Sequence, residues 1–461
     1  MTIDPRTYGA KADGTTNDAA AIQRAIDACA ANGGGTVRLT DGAFLSGTLF
    51  MKSNVYLNVA ASARLVASPN IADYSPDVHH NRYRNETNID RCFIYAEDAH
   101  DFGLIGHGMI EGQAEAFPNE GSIYRPMMIR VLRCSNVHIE NLRLYNAAAW
   151  TTAFLDSEYI WVRGVDIRND KRYNGDGLDF DGCAHVFVSD CYVRGTDDNF
   201  CLQASSKALP VHDVHVTNCE FSGICAGIRI GLKSIGDIRN VTISNCTLDR
   251  VWREGIKIES TEGGTISDIS VSNIVMRNVT RPIFVILNNR FEPDDYGTSI
   301  ELDHVPAIGR LENIDISHLT AVDDEEMANT HMRFTDDVMG SPRFNGIRFD
   351  AADGHPISGV TLSDIRYTFI GGVKQSDIPA GEYPKVLDRL VAPEGRSSEN
   401  YWPDWSRTSF MDLRNVADLQ LRNVRLRTLH DDERPAILTD GCDDMAADNI
   451  RVNGRSWKRY S

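Results

Sequence analysis

Apolar and polar residues alternate in short bursts along most of this chain, and the bursts recur. SNVHIENLRLYN (135–146), SEYIWVRGVDIRN (157–169), CAHVFVSDCYVRG (183–195) and VHDVHVTNCEFSG (211–223) share one outline: an alternating strand, a small polar corner, then a second short strand. The outline returns at 238–250, 266–278, 311–323, 357–368 and 416–428, with a mid-chain spacing of about 22 to 28 residues. Period-two alternation puts Val, Ile and Leu on one face of each strand, and a fixed period of this length marks a solenoid. The corner residues Asn141, Asp190, Asn218, Asn245, Asn273, Asp364 and Asn423 belong to types that accept left-handed backbone and bond their own main chain. Just after the corners come Leu142, Cys191, Cys219, Cys246, Ile274, Leu319, Ile365 and Val424, which stacking would turn into an internal ladder.

The predicted architecture is therefore all-β, a right-handed parallel β-helix forming a single domain over residues 1–461. A propeller would need four-strand blades of about 40 residues, which the units lack. Asn17-Asp18, followed by helical periodicity that ends before Gly33-Gly34-Gly35, predicts an N-terminal capping helix within about 15–35. Longer segments at about 285–310, 324–356 and 369–415 interrupt the repeats and are expected to form loops on one face, walling a groove. They include Arg290-Phe291-Glu292-Pro293 and the aromatics Tyr401, Trp402 and Trp405, candidate platforms for a sugar ring.

Composition narrows the function. No run of about eighteen apolar residues is present, so no transmembrane helix is expected. The opening MTIDPRTYGAKADG has neither the basic nor the apolar region of a secretory leader, which predicts a cytoplasmic protein unless a leader has been trimmed. Ten cysteines, several at one repeat position, suit reduced and buried thiols. No CxxC or HExxH spacing occurs, so no metal or cofactor is expected. A formal charge of −18 argues against nucleic acid and anionic membrane surfaces as partners.

Two acidic clusters carry the candidate chemistry: Asn174-Gly175-Asp176-Gly177 and, about one repeat later, Thr196-Asp197-Asp198. Adjacent coils of a solenoid lie about 4.8 Å apart, so these carboxylates should meet on one face. Paired carboxylates are what glycosidic cleavage needs, one protonated as acid and another ionised to activate water. The competing reading is structural, since Asp-Gly pairs form turns and Asp-Asp can cap a coil. Trp150, one coil earlier, is suited equally to stacking on a sugar and to packing. Arg229 shares a strand face with Gly227 and Gly231, whose missing side chains would leave room for a ligand. Lys257 and Glu259 also share a face, as substrate contacts or as a simple exterior ion pair.

These segments resemble family 28 of the glycoside hydrolases, the polygalacturonase family of parallel β-helix enzymes. Its Asn-Thr-Asp-Gly run corresponds to Asn174–Gly177 and its Gly-Asp-Asp or Gln-Asp-Asp run to Thr196-Asp197-Asp198. Tyr8-Gly9-Ala10-Lys11-Ala12-Asp13-Gly14, the Gly33–Val37 stretch and Gly106–Gln113 are similar to the wider superfamily. The resemblance implies inversion by single displacement, with Asp197 as general acid, Asp176 and Asp198 activating water, and Asn174 orienting them. Two family motifs differ here. Ala226 stands where Gly-His-Gly has histidine, and Gly255-Ile256-Lys257-Ile258-Glu259 stands at Arg-Ile-Lys, keeping a cation at Lys257. In the family those basic residues grip a galacturonate carboxylate; here Arg229 is the candidate displaced cation, beside Lys257 and Glu259.

The expected activity is hydrolysis of a glycosidic bond in pectic or related uronate- or deoxysugar-containing oligosaccharides, acting from the chain end. Two alternatives remain open from the sequence. One is a β-helix polysaccharide lyase, including one with Ca²⁺ held by Asp176, Asp197 and Asp198. The other is a non-catalytic carbohydrate-binding β-helix.

Overall fold

The computed structural model describes residues 1–76, 78, 91–118, 125–289, 304, 306–328, 346–378 and 406–459. The segment 290–293 and the aromatics Tyr401, Trp402 and Trp405 lie outside the described residues. The fold is a right-handed parallel β-helix, and its strands fall into two compact units.

The first unit comprises chiefly Met1–Cys201 and Val211–Glu220. One parallel ladder runs through Gly35–Leu39, Val55–Val59, His100–Gly106, Ser135–Glu140, Glu158–Arg163, Ala184–Ser189 and Val211–Thr217. A second runs from Gly42–Ser46 through Met109–Glu111 and Arg143–Tyr145 to Tyr192–Gly195. A third joins Leu49–Phe50, Cys92–Glu97, Met127–Leu132, Thr152–Leu155 and Leu178–Asp181. Side chains alternate as the sequence pattern requires: Val137, Ile160, Val186 and Val214 stack in register and are buried. On the third ladder Phe154 and Phe180 lie face to face with ring centroids 4.9 Å apart.

Between the first two ladders the chain turns at Asn141, Asp190 and Asn218, with φ of 61°, 58° and 56°. Left-handed backbone costs a side chain roughly 1–2 kcal/mol unless it is Gly, Asn or Asp, which explains the residue choice. A second left-handed series, at Asn136, Tyr159, His185 and Asp213, was not visible in the sequence because its residue types vary. The N-terminal helix forms at Ala19–Ala31 and buries Ala21, Ile22, Ala25, Ile26 and Cys29. Asn17 rather than Asp18 caps it by side chain, accepting from the Ala19 N–H at 3.0 Å. The Asp18 carboxylate turns back to accept from the N–H groups of Lys11 and Ala12.

The second unit comprises Leu202–Pro210 and the described residues from Phe221 onward. Ile238–Val251, Thr265–Arg277 and Arg310–Val322 run through the corner as single long strands, bent by left-handed Asn245, Asn273 and His318. Asp364 and Asn423 continue the corner series, with the Asn423 amide donating to Asp364 at 3.2 Å. A further ladder joins Ile228–Ser234, Glu254–Ser260, Arg281–Leu287, Ile347–Ala351, Met411–Arg414 and Ile437–Asp440. Ile347–Ala351 and Met411–Arg414 fall inside segments the sequence assigns to loops. They carry Arg348, Asp350, Asp412 and Arg414, which mask the apolar alternation: Arg348 and Arg414 pair with Asp350, and Asp412 pairs with Arg407.

Candidate active site

In the first unit the two acidic clusters meet. The Gly177 N–H donates to the Asp198 carbonyl at 2.8 Å, and the Leu178 N–H donates to the Asn199 carbonyl at 2.9 Å. The Thr196 N–H donates to the Gly175 carbonyl, while the Gly175 N–H donates back to the Thr196 hydroxyl at 3.0 Å. That hydroxyl in turn donates to the Arg172 carbonyl. A Cβ on Gly175 would sit 2.5 Å from the Thr196 hydroxyl oxygen, so only glycine permits this approach. Asn169 fixes the other side, donating to the Thr151 hydroxyl at 2.6 Å and to the Gly175 carbonyl at 3.2 Å.

The three aspartates differ in setting. Asp176 and Asp198 are buried, whereas Asp197 is half-buried. Asn174, at φ 54°, donates its amide to Asp197 Oδ2 at 3.1 Å. The other end of that amide accepts from Arg125 Nη2 at 3.0 Å, and Arg125 Nη1 donates to the carbonyls of Tyr173 at 2.5 Å and Ala148 at 3.4 Å. Asp197 Oδ1 accepts from the Asp198 N–H at 3.1 Å. Burial pushes the Arg125 pKa down, and the charges of Asp176 and Asp197 work against that shift. The guanidinium therefore braces Asn174 and lies within the field of the acidic cluster.

Sequence reasoning missed Arg125. Its signal lay in the register: Ile129, Thr152 and Leu178 are strand partners, and counting back four residues from each gives Arg125, Ala148 and Asn174. Trp150 occupies the packing role of its two readings. It is 7% exposed and clusters with Cys92, Tyr95, Met127 and Ala153, against Phe50.

Arg229, Lys257 and Glu259 come together in the second unit. Arg229 stands opposite Lys257 in the ladder, and Gly231 opposite Glu259. The Arg229 guanidinium pairs with Glu259 at 3.0 Å and Lys257 Nζ with Glu259 at 3.4 Å, all largely buried. Lys257–Glu259 is thus an ion pair but not an exterior one. Glu254, which the sequence reading passed over, anchors the rest through Arg281 at 2.8 Å, Arg253 at 3.5 Å and Lys257 at 3.7 Å. Burial acts to raise the Glu254 pKa, but Lys257, Arg253 and Arg281 outweigh it and hold the carboxyl near 2. Burial lowers Arg281 to about 10 against the pull of Glu254. Four cations, Arg229, Arg253, Lys257 and Arg281, share the two carboxylates Glu254 and Glu259.

The expected ligand space beside Arg229 does not exist at the glycines. A Cβ on Gly227 would lie 2.7 Å from the Leu248 side chain, and one on Gly231, at φ +100°, 2.0 Å from the Glu259 carbonyl oxygen. Both glycines are there because neighbouring atoms approach closely.

Comparison with known proteins adds the lineage of this arrangement. Residues 40–302 match the family described as glycosyl hydrolases family 28. An endo-polygalacturonase of Pectobacterium parmentieri is 26% identical over 300 residues, spanning 60% of this chain and 73% of its own. An exo-poly-alpha-D-galacturonosidase of Dickeya chrysanthemi is 23% identical over 442 residues, spanning 83% and 72%. Among solved structures, an exopolygalacturonase from Thermotoga maritima shares the fold with a TM-score of 0.62 at 20% identity, over 79% of this chain and 86% of that one.

Proposed function

The chain belongs to family 28 of the glycosyl hydrolases and is a glycosidase, and from that premise we propose that it hydrolyses pectic, uronate-containing oligosaccharides by inversion, with Asp197 as the acid. The observation that carries this reading is the unequal treatment of the carboxylates. Asp197 alone is half-exposed and is held by the braced Asn174 amide, the setting of a group that must reach a glycosidic oxygen. Asp176 and Asp198 are buried beside it, suited to orienting and deprotonating one water.

Protonation of the leaving oxygen by Asp197 breaks the bond as the water attacks the opposite face of the anomeric carbon. The water's proton passes to the Asp176 and Asp198 pair. Arg229 is the side chain proposed to hold a uronate carboxylate, with the fully buried Lys257 supporting it through Glu259. Arg229 and Lys257 stand opposite one another on adjacent strands and share Glu259, which keeps the Arg229 guanidinium in place for an anionic ligand. Exo action is supported by the similarity to the Dickeya chrysanthemi exo-poly-alpha-D-galacturonosidase over most of this chain.

The test is to incubate the protein with a saturated galacturonate oligosaccharide. The expected products are new reducing ends with no unsaturated uronate, with the inverted anomer formed first in a proton NMR time course and monomer or dimer released from one end. An unsaturated product would sink the hydrolase mechanism in favour of a lyase.

A further inference from the structure

A second charged surface lies in the second unit, away from any residue assigned above. Arg366–Gly371, Arg425–His430 and Arg451–Val452 are parallel neighbours, with Arg366 opposite Arg425 and Arg425 opposite Arg451. Three guanidinium groups thus leave three consecutive strands at one register, the strands about 4.8 Å apart. Arg427, two residues beyond Arg425, points to the same face. The four arginines are exposed and line an open groove of about 860 Å³ with Asn449 and Asn453.

Like charges directly opposite on adjacent strands destabilise a sheet, and carboxylates are abundant in a chain of net charge −18. Nearby arginines do have them: Arg277 pairs with Asp324 at 3.0 Å and Arg250 with Glu326 at 3.1 Å. Among the described residues, the side chains of Arg366, Arg425, Arg427 and Arg451 make no ion pair or hydrogen bond.

We propose that this arginine ladder is an accessory binding site for a uronate oligosaccharide, holding its carboxylates on successive strands. The ligand class rests on the proposed function above; the site itself rests on the register and charge. Each guanidinium offers a fork that matches a carboxylate; Asn449 and Asn453 line the rim with their amides bonded to Asn423 and Thr428, so recognition falls to the arginines. Among the described residues lining the groove, Tyr367 is the one aromatic side chain and is 1% exposed, which offers no platform for stacking nucleic-acid bases.

The experiment uses the full chain carrying Asp197→Asn, titrated calorimetrically with a galacturonate hexamer at two salt concentrations. The expected result is two sites per chain, one of which weakens as salt rises and is lost in Arg425→Gln/Arg451→Gln. That double substitution should leave the melting temperature equal or higher, because it removes like-charge repulsion. Single Arg425→Gln, as a milder check, should weaken the same site about tenfold. Stoichiometry and affinity unchanged by either set of substitutions would overturn the proposal. So would a groove that takes inorganic phosphate while ignoring the hexamer. Failure of the activity reading is distinct: it shows as no reducing ends released by the unsubstituted protein, whatever binds to the arginines.

Discussion

At the scale of single residues, two hydrogen bonds link Arg125 through Asn174 to Asp197. Arg125 is buried and bonds Asn174 rather than an aspartate, which suits it to a positioning role. Arg125→Ala is expected to lower kcat about 100-fold, the cost of misplacing a catalytic group by about 1 Å, while KM changes little. Arg125→Lys, which keeps a donor, should recover part of kcat; a rise in KM at constant kcat would contradict the positioning role. The aspartates and Asn174 were legible in the sequence because the repeat period brings 174–177 and 196–199 together. Arg125 was not, since its role follows from a register two coils away that only paired strands reveal. Gly227 and Gly231 misled for a related reason. Alternation gives the face of a glycine but not what approaches it.

At the scale of elements, corner and strand were readable because each has a local physical cause. All seven Asn and Asp corners do adopt left-handed backbone. The second corner series stayed hidden because Tyr159 and His185 share it with Asn136 and Asp213. Aromatic stacking was equally invisible. On the outward face of the first unit His138, Trp161, Phe187 and His215 stand in one register, with neighbouring rings 4.8, 5.6 and 5.3 Å apart and nearly parallel. Trp161→Ala removes two such contacts and is expected to cost about 1–3 kcal/mol in urea unfolding, without loss of activity.

Asp323 is an element-scale liability of the second unit. It lies at the end of Arg310–Val322, where it accepts from the Ile370 N–H at 3.2 Å, and burial raises its pKa to about 7. From about pH 4 to 7 the folded chain keeps a proton that the unfolded chain has released. Stability from this group is therefore full below about pH 4 and falls as pH rises toward 7. Asp323→Asn should match the unsubstituted protein at pH 4 and exceed it at pH 8, on the order of 3 kcal/mol. Melting curves at the two pH values decide this; equal stability at pH 8 would contradict it.

At the scale of the whole molecule, the ten cysteines serve packing. All are buried and none forms a disulfide. Burial pushes Cys92 up to about 12 and Cys134 to about 11, far from a reactive thiolate, while Cys191 is lowered, chiefly by its hydrogen bond with Cys219. A thiol reagent should accordingly titrate almost no groups in the native protein and all ten after denaturation; rapid native labelling would refute the packing role. Fold class was the most legible property, because nine copies of one pattern repeat the same instruction. Substrate recognition was the least legible. The proposed uronate grip uses the charged cluster around Glu254 and Glu259, and within it Glu254 and Arg281 pair across strands 27 positions apart in the chain.

The central claim is that Asp197 protonates the leaving glycosidic oxygen, and one substitution tests it most directly. With Asp197→Asn, reducing-end release from a galacturonate oligosaccharide should fall by about 100- to 10,000-fold, while calorimetric binding of the same oligosaccharide persists. Release at the unsubstituted rate would contradict the account.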